Sequence, residues 1–436
     1  MMEWQRLLSA RRLGHDAAEP VTPARSPFQK DWDRIVFCSA FRRLQDKTQV
    51  HSMPASDYVR TRLTHSLEVA SVGRSLGAAV GERVVRRGLV EAGISAAEFG
   101  HIVAAACLGH DIGNPPFGHF GEDTIRAWFG AADGGLKLIA PLADAERADL
   151  LGFEGNAQGY RILARLQNWR DAGGLRLTAA TLATFAKYPF DSVSSDRPGK
   201  FGYFAAEAEL FTGTAEAVGL LPATGGGWCR HPLAYLVEAA DDTCYRVVDL
   251  EDGYKLGRIS FDEAETLLLR LLGARPPRYA DLETEGRRIA YLRAKAIGTL
   301  VDLVVEQFDR HEAAIMAGTF IGDLLGQTTA VPVLDDIEEL TRARIFQTPQ
   351  RYDSEVKGQA IIETLLDSCC AGFLAREQGV GVPEDAAETF AAFPDPPPPD
   401  TPRYHWVLAV TDFVSGMTDT YAQSQYRRLA RPSKPR

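Results

Sequence analysis

RLTHSLEVASVGRSLGAAV, residues 62–80, decides the fold class. Leu63, Leu67 and Ala70 recur at i, i+4 and i+7, and Val69, Val72, Leu76 and Val80 form a second stripe. A helix that is apolar on two stripes is buried on most sides, so this one is read as central. A second apolar helix, EFGHIVAAACLG (98–109), runs into His110-Asp111-Ile112-Gly113-Asn114-Pro115-Pro116. There the glycine and the two prolines must break it. Working outward, the same period returns at 154–185, at 231–250 (Leu233, Val237, Ala240, Cys244 and Val247 on one stripe), and through 262–328, 335–376 and 404–428. Strand-type alternation is scarce and no repeat of fixed period occurs, so the fold class is read as all-α. Residues 131–152, rich in Gly, Ala and Asp, read as a loop or insertion, and 186–203 as a mixed stretch. Residues 379–403 hold four consecutive prolines after Asp395 and can be neither helix nor central strand.

Composition narrows the class. The chain has 436 residues, 45% hydrophobic and 24% charged, which excludes wholesale disorder, collagen and a coiled-coil rod. A net charge of −10 argues against nonspecific coating of nucleic acid while leaving room for a local basic pocket. No apolar run approaches the roughly 20 residues of a membrane helix, and the first twenty residues lack an apolar leader core. A cytoplasmic, membrane-free protein is the expectation. Six cysteines without C-x-x-C spacing read as free thiols. Kinase, P-loop, dinucleotide, serine-hydrolase and zincin signatures are all missing.

Three histidine contexts suggest chemistry. His65 lies on the stripe with Val69 and Val72, where a lone imidazole also fits a satisfied core residue. His110-Asp111 puts an imidazole and a carboxylate side by side at the end of an apolar helix. Burying both unpaired costs several kcal/mol, about 2–7 for each uncompensated polar group. A shared divalent cation satisfies them directly. Asp241-Asp242 interrupts a helix for which aspartate is a poor former. Asp241, Tyr245 and Asp249, at i, i+4 and i+8, share one face. His65, His110, Asp111 and Asp241 together supply two imidazoles and two carboxylates. The lack of thiolates disfavours structural zinc and suits an octahedral divalent ion with open positions for water and phosphate oxygen.

The order His…His-Asp…Asp is the HD-domain metal signature. The surrounding stretches DWDRIVFCSAFRRLQDKTQV, VRTRLTHSLEVASVGRSLG, LGHDIGNPPFGHFGED, FEGNAQGYRIL, EAADDTCYRVVDLEDG and DFVSGMTDTYA are similar to those of bacterial dGTP triphosphohydrolases and their dNTPase relatives. The resemblance runs from about residue 22 to residue 428. It implies an all-α fold, with a 1–30 N-terminal arm, a 31–250 HD catalytic core and a 251–436 helical region packed on it, carrying the Pro-rich loop at 379–403. It implies hydrolysis of a deoxynucleoside triphosphate, dGTP first among candidates, to deoxynucleoside and inorganic triphosphate. One divalent ion per subunit, Mg²⁺ or Mn²⁺, would sit on His65, His110, Asp111 and Asp241.

The same resemblance distributes roles. His119 and Glu122, one turn apart after the proline loop, correspond to positions implicated in catalysis: His119 as general acid/base and Glu122 as its orienter. Arg62, one turn before His65, can reach a phosphate, and Lys187 in F-A-K-Y-P is similar to a phosphate-binding lysine. Gln49, Asn156, Tyr245 and Asp249 match substrate positions, with Tyr245 closing the 2′ side of the sugar and Asp249 accepting from the 3′-hydroxyl. Arg42-Arg43, in F-R-R-L, and Arg83, Arg86 and Arg87 are basic clusters, the second a solvated helix face. The expected partners are the dNTP substrate, a second activating nucleotide, single-stranded DNA as a regulator, and copies of the same chain in a homo-oligomer, a hexamer by analogy. Two other readings stay open: a different HD phosphohydrolase (5′-nucleotidase or phosphodiesterase), and a non-catalytic nucleotide- or ssDNA-binding HD protein.

Overall fold

A computed structural model describes residues 1–14, 25–48, 60–168, 173–194, 199–347, 349–382, 386–387, 392–393, 397–398 and 400–429. It is all-α: among the described residues there are helices, three isolated β-bridges and no strand. In chain order the helices are α1 (Trp4–Leu7), α2 (Pro27–Phe37), α3 (Ser39–Arg43), α4 (Arg62–Arg86), α5 (Ala96–Gly109), α6 (His119–Ala131), α7 (Asp133–Ile139), α8 (Asp144–Leu151) and α9 (Gly155–Arg161). They continue as α10 (Ala179–Phe185), α11 (Ala208–Val218), α12 (Ala234–Lys255), α13 (Phe261–Leu272), α14 (Glu285–Met316), α15 (Val331–Thr341), α16 (Pro349–Glu377), α17 (Arg403–Ser415) and α18 (Asp419–Leu429). No described helix is long and apolar enough to cross a membrane. All six cysteines are free thiols.

The central pair is α4 and α5. Gly73, Gly77 and Gly81 recur every four residues on α4. A methyl there would sit 2.4 Å from Cys107 Sγ, 2.6 Å from the Phe99 carbonyl oxygen and 2.8 Å from the Ala96 carbonyl oxygen. Only a side-chain-free seam allows two helices to lie this close. The seam brings the start of α4, with His65, and the end of α5, with His110-Asp111, into one layer.

Two apolar cores result. The first gathers α2, α4, α5, α10 and α12–α15, with Met2, Trp4 and Leu7 of the N-terminal segment buried in it. The second gathers α6–α8 and α16–α18 around Trp128, Phe129, Phe153 and Trp406. A boundary at residue 250 does not divide them: α12 continues to Lys255, α13–α15 join the first core, and α6–α8 pack with the C-terminal helices. The loop 110–118 connects a helix of the first core to one of the second.

Several local readings need correction. Residues 131–152 are not a loop but hold α7 and α8, burying Leu138, Ile139 and Leu150. Their glycine serves contact: a methyl at Gly135 would meet the Trp128 carbonyl oxygen at 2.3 Å. The helical stretch from 154 breaks after a π turn at Ile162–Leu166, and that from 404 breaks at Gly416. The first long helix starts at Pro27, inside the stretch 1–30 expected to be an arm, because Ser26 forms a capping box with Gln29. Much of the proline-rich 379–403 segment lies outside the described residues.

Lys47 joins the two cores. Buried to 3% exposure, its Nζ donates to the carbonyl oxygens of Asn114 (2.5 Å) in the connecting loop and Ser415 (2.8 Å) at the end of α17. Burial, with Arg43 nearby, pulls the ammonium down to about 7. The unfolded chain therefore binds the proton more tightly, so this group's destabilising effect is full below pH ~7 and relaxes as pH rises toward ~10.4. Equilibrium unfolding of wild type and Lys47→Met should diverge in favour of wild type by about 1.4 kcal/mol per pH unit between pH ~7 and ~10. A pH-independent difference would contradict the depressed lysine.

Candidate active site

Three helices deliver the candidate metal-binding atoms. His65 stands in the first turns of α4, which starts on a capping box between Thr61 and Thr64. His110 and Asp111 follow the last turn of α5, and Asp241 projects from the middle of α12. His65 Nε2 lies 3.0 Å from Asp241 Oδ1. His110 Nε2 lies 3.5 Å from that oxygen and 3.6 Å from Asp111 Oδ2. One ligand atom each from His65, His110 and Asp111 falls within a 4.8 Å cluster able to hold a metal ion.

The chemistry of the donors fits a cation. His110 Nδ1 is 2.7 Å from the Cys107 carbonyl oxygen, which only accepts, so the ring proton is on Nδ1. Its Nε2 faces Asp241 and Asp111, so the group is stable only with positive charge among them, a second ring proton or a cation. Burial alone would raise the Asp111 carboxyl; Arg62 and the two imidazoles outweigh it and hold it far below the usual range. Burial also opposes ionisation of Asp241, and His110 and His65 reverse the effect. His65 shows the reciprocal balance: burial would lower it, but Asp241, Asp111 and Asp249 raise it. Asp111 is also clamped at both oxygens, by Arg62 Nη1 on Oδ2 (2.8 Å) and Asn114 Nδ2 on Oδ1 (2.5 Å).

Beside this cluster His119 opens α6 with an exposed ring, 3.3 Å through Nδ1 from Glu122 Oε2. Glu122 is buried and accepts from the Gly155 N–H (3.1 Å) and Arg126 Nη2 (3.4 Å). The Glu122 hydrogen bond raises the His119 imidazole above its ordinary range. Burial would push Glu122 up, but His119, Lys200 and Arg126 hold it down. The two side chains thus each favour the charged form of the other. Arg62 lies between the two groups: a methyl at Gly118 would meet its Nη2 at 2.5 Å.

Comparison with known proteins gives this geometry its family. The HD domain model matches residues 62–147, and the phosphohydrolase-associated domain model matches 329–428. A deoxyguanosinetriphosphate triphosphohydrolase-like protein of Synechocystis is 44% identical over 98% of this chain and 99% of its own. A like-named protein of Pseudomonas aeruginosa is 42% identical over the full length of both. The chain belongs to the deoxyguanosinetriphosphate triphosphohydrolase-like family. A deoxyguanosinetriphosphate triphosphohydrolase of Yersinia enterocolitica is also 31% identical over 92% of this chain and 93% of its own. Membership makes the chain an HD-class hydrolase. Arg62, His65, His110, Asp111, His119 and Glu122 all fall within the HD match, whereas Asp241 lies outside both matches.

The remaining candidates of this HD hydrolase are placed as follows. Asp249 is buried on α12, its Oδ2 without a partner and its carboxyl pushed up to about 7 by burial. Tyr245, half-exposed, stacks on Phe346 at 5.5 Å and 21°. Lys187 Nζ is engaged by Glu238 Oε1 (3.2 Å), whose other oxygen takes Arg230 Nη2 (2.8 Å). Glu238 precedes Asp241 by one turn on α12. Asn156 Nδ2 donates to Glu154 Oε1 (2.9 Å), so in this structure its amide is taken up by the carboxylate that caps α9. Gln49 lies outside the described residues. Sequence reasoning missed Asn114, Glu238 and Lys200, whose Nζ is 3.1 Å from Glu154 Oε1 and adds charge beside Glu122. Asn114 carried a signal, one turn after Asp111 inside the quoted loop.

Gly155 is where the two groups meet. A methyl there would lie 2.5 Å from Glu122 Oε1 and 2.6 Å from Asn114 Oδ1. Gly155→Ala should therefore displace both side chains, costing about 1–3 kcal/mol in equilibrium unfolding. It should also weaken binding of added Mn²⁺ followed by titration calorimetry. Unchanged unfolding and unchanged metal affinity would show that the approach is relieved freely.

Proposed function

We propose that this protein hydrolyses deoxynucleoside triphosphates, dGTP among them, to deoxynucleoside and inorganic triphosphate. The observation that carries the reading is a bonded imidazole–carboxylate pair, His119 and Glu122, separated by one guanidinium from a His65, His110 and Asp111 cluster able to hold a cation. His65, His110, Asp111 and Asp241 would hold one divalent ion, Mg²⁺ or Mn²⁺. When bound, such an ion polarises a phosphate oxygen and acidifies a water.

The chain's own residues supply the rest. Water attacks the α-phosphorus and loses a proton to solvent, the P–O5′ bond breaks, and the electron pair left on O5′ takes a proton from protonated His119, which solvent then restores. Glu122, fixed by the Gly155 N–H and Arg126, keeps that imidazole charged and aimed. Arg62 and Lys187 meet phosphate oxygens, and Lys187 can leave Glu238 cheaply because Arg230 remains on that carboxylate. Tyr245, pinned by Phe346, walls off the 2′ position. The unpartnered Asp249 oxygen accepts from the 3′-hydroxyl. Gln49 and Asn156 complete the substrate contacts. A homo-oligomer, a hexamer in this reading, working in the cytoplasm and regulated by a second nucleotide or single-stranded DNA, completes the proposal.

Incubation with dGTP and a divalent ion, with phosphorus NMR of the products, tests the reaction. Tripolyphosphate is the expected product, and His110→Ala should lose both bound metal and turnover. Pyrophosphate, monophosphate or no product would overturn the reading in favour of another phosphohydrolase or a binding protein. The acid role has its own signature. Because His119 acts protonated, kcat should fall as pH rises through its elevated pKa. Glu122→Gln should move that alkaline limb to lower pH, and His119→Ala should cost ~100-fold or more. An alkaline limb that stays put in Glu122→Gln would assign the proton to another group.

A further inference from the structure

The loop before His119 takes an unusual path. Phe117 has φ of 64°, one of four non-glycine residues with positive φ among the described residues. Gly118 follows at φ 65°, ψ −137°, and caps the start of α6. A left-handed conformation at a residue with a Cβ costs about 1–2 kcal/mol, roughly a factor of 5–30 in population, so something must hold it. The holder comes from the far end of the chain. Asp419, at the first turn of α18 and 5% exposed, accepts the Phe117 N–H on Oδ1 at 3.0 Å. Its Oδ2 accepts the Thr48 N–H (3.1 Å) and the Thr48 hydroxyl (2.7 Å). One carboxylate thus fixes the residue two before His119 and the residue just before Gln49. Lys47 braces the same loop through the Asn114 and Ser415 carbonyls.

We propose that Asp419 is a positioning residue. By holding Phe117 left-handed, it sets where α6 begins and hence where His119 and Glu122 point. His119 and Glu122 are on the first turn of α6, so a change at Phe117 swings both relative to the cluster of His65, His110 and Asp111. Those three are held by α4, α5 and the Arg62 and Asn114 clamps. Asp419 therefore acts on the proton donor directly, through Phe117, and on α4 at one remove, through the pairing of Thr48 with Thr61 at its cap. The catalytic consequence rests on the reading of His119 given above; the geometric claim does not.

The test is a double-mutant cycle on the full-length protein. Asp419→Ala should raise amide exchange of the peptide spanning 115–122 and lower kcat by about tenfold or more, the scale at which a displaced group loses rate. Bound metal per subunit should fall by less than kcat does. Phe117→Gly adopts positive φ without the steric cost. On that background Asp419→Ala should cost less than about threefold, since no strained conformer is left to hold. Thr48→Val, which removes only the hydroxyl bond, should leave exchange at 115–122 near wild type. If Asp419→Ala fails to fold by circular dichroism, Asp419→Asn, with one acceptor oxygen for two segments, replaces it in the same cycle. Unchanged exchange at 115–122, or an equal loss on both backgrounds, overturns the proposal. A wild-type protein that does not hydrolyse dGTP removes the functional reading, and the exchange arm still decides the positioning claim.

Discussion

Burial of negative charge is the constraint on which this molecule turns. Asp111, Glu122, Glu154 and Asp249 are all taken out of water around one seam. An ionised carboxylate there needs either N–H donors or a cation. Asp111 has Arg62 and Asn114; Glu122 has His119, Arg126 and a backbone amide; Glu154 has Lys200 and the amides that start α9. The compensation is left incomplete at two points. His110 Nε2 stands 3.5 and 3.6 Å from two carboxylates, and Asp249 keeps an oxygen with no partner. Polar atoms that a fold leaves unanswered at such cost are the atoms that a ligand answers.

The seam also explains why two cores exist. The metal-ligand candidates hang from helices of the first core and His119 from a helix of the second. Their relative position is set by the loop between them and by polar ties across it. Those ties are unusually direct. Arg161 bonds Glu207 and both oxygens of Asp412, so α9, which carries Gly155, is locked to α17. Lys47 and Asp419 do the same for the loop. The phosphohydrolase-associated match at 329–428 is therefore part of the active-site support.

Much of this was legible in the sequence because its signals are local. The stripe of Val69, Val72, Leu76 and Val80 marked α4 as central, although Leu67 of the other stripe is exposed, and the His110-Asp111 pair before Gly and two prolines marked the end of α5. Residues whose meaning depends on a partner hundreds of positions away leave no periodic trace. Lys47 meets Ser415, and Thr48 meets Asp419. Composition misled at 131–152, where glycine marks close packing under Trp128 and looks the same as glycine in a loop. The α4 glycines at 73, 77 and 81 had the spacing of a helix contact face. What they contact, the backbone of α5, emerges only once the two helices are laid together.

Asp419 has a bearing on how the protein is made. Synthesis runs from the N-terminus, and domains generally fold as their residues emerge. The α4–α5 pair with His65, His110 and Asp111 is complete early, and Asp241 follows with α12. The carboxylate that holds Phe117 left-handed is appended only at residue 419. A nascent chain thus carries the helices of the His65, His110 and Asp111 cluster long before the carboxylate that ties down the loop leading to α6. Translation itself separates the making of these two halves of the candidate site, and a chain that stops short of α18 has the cluster's residues and lacks that tie.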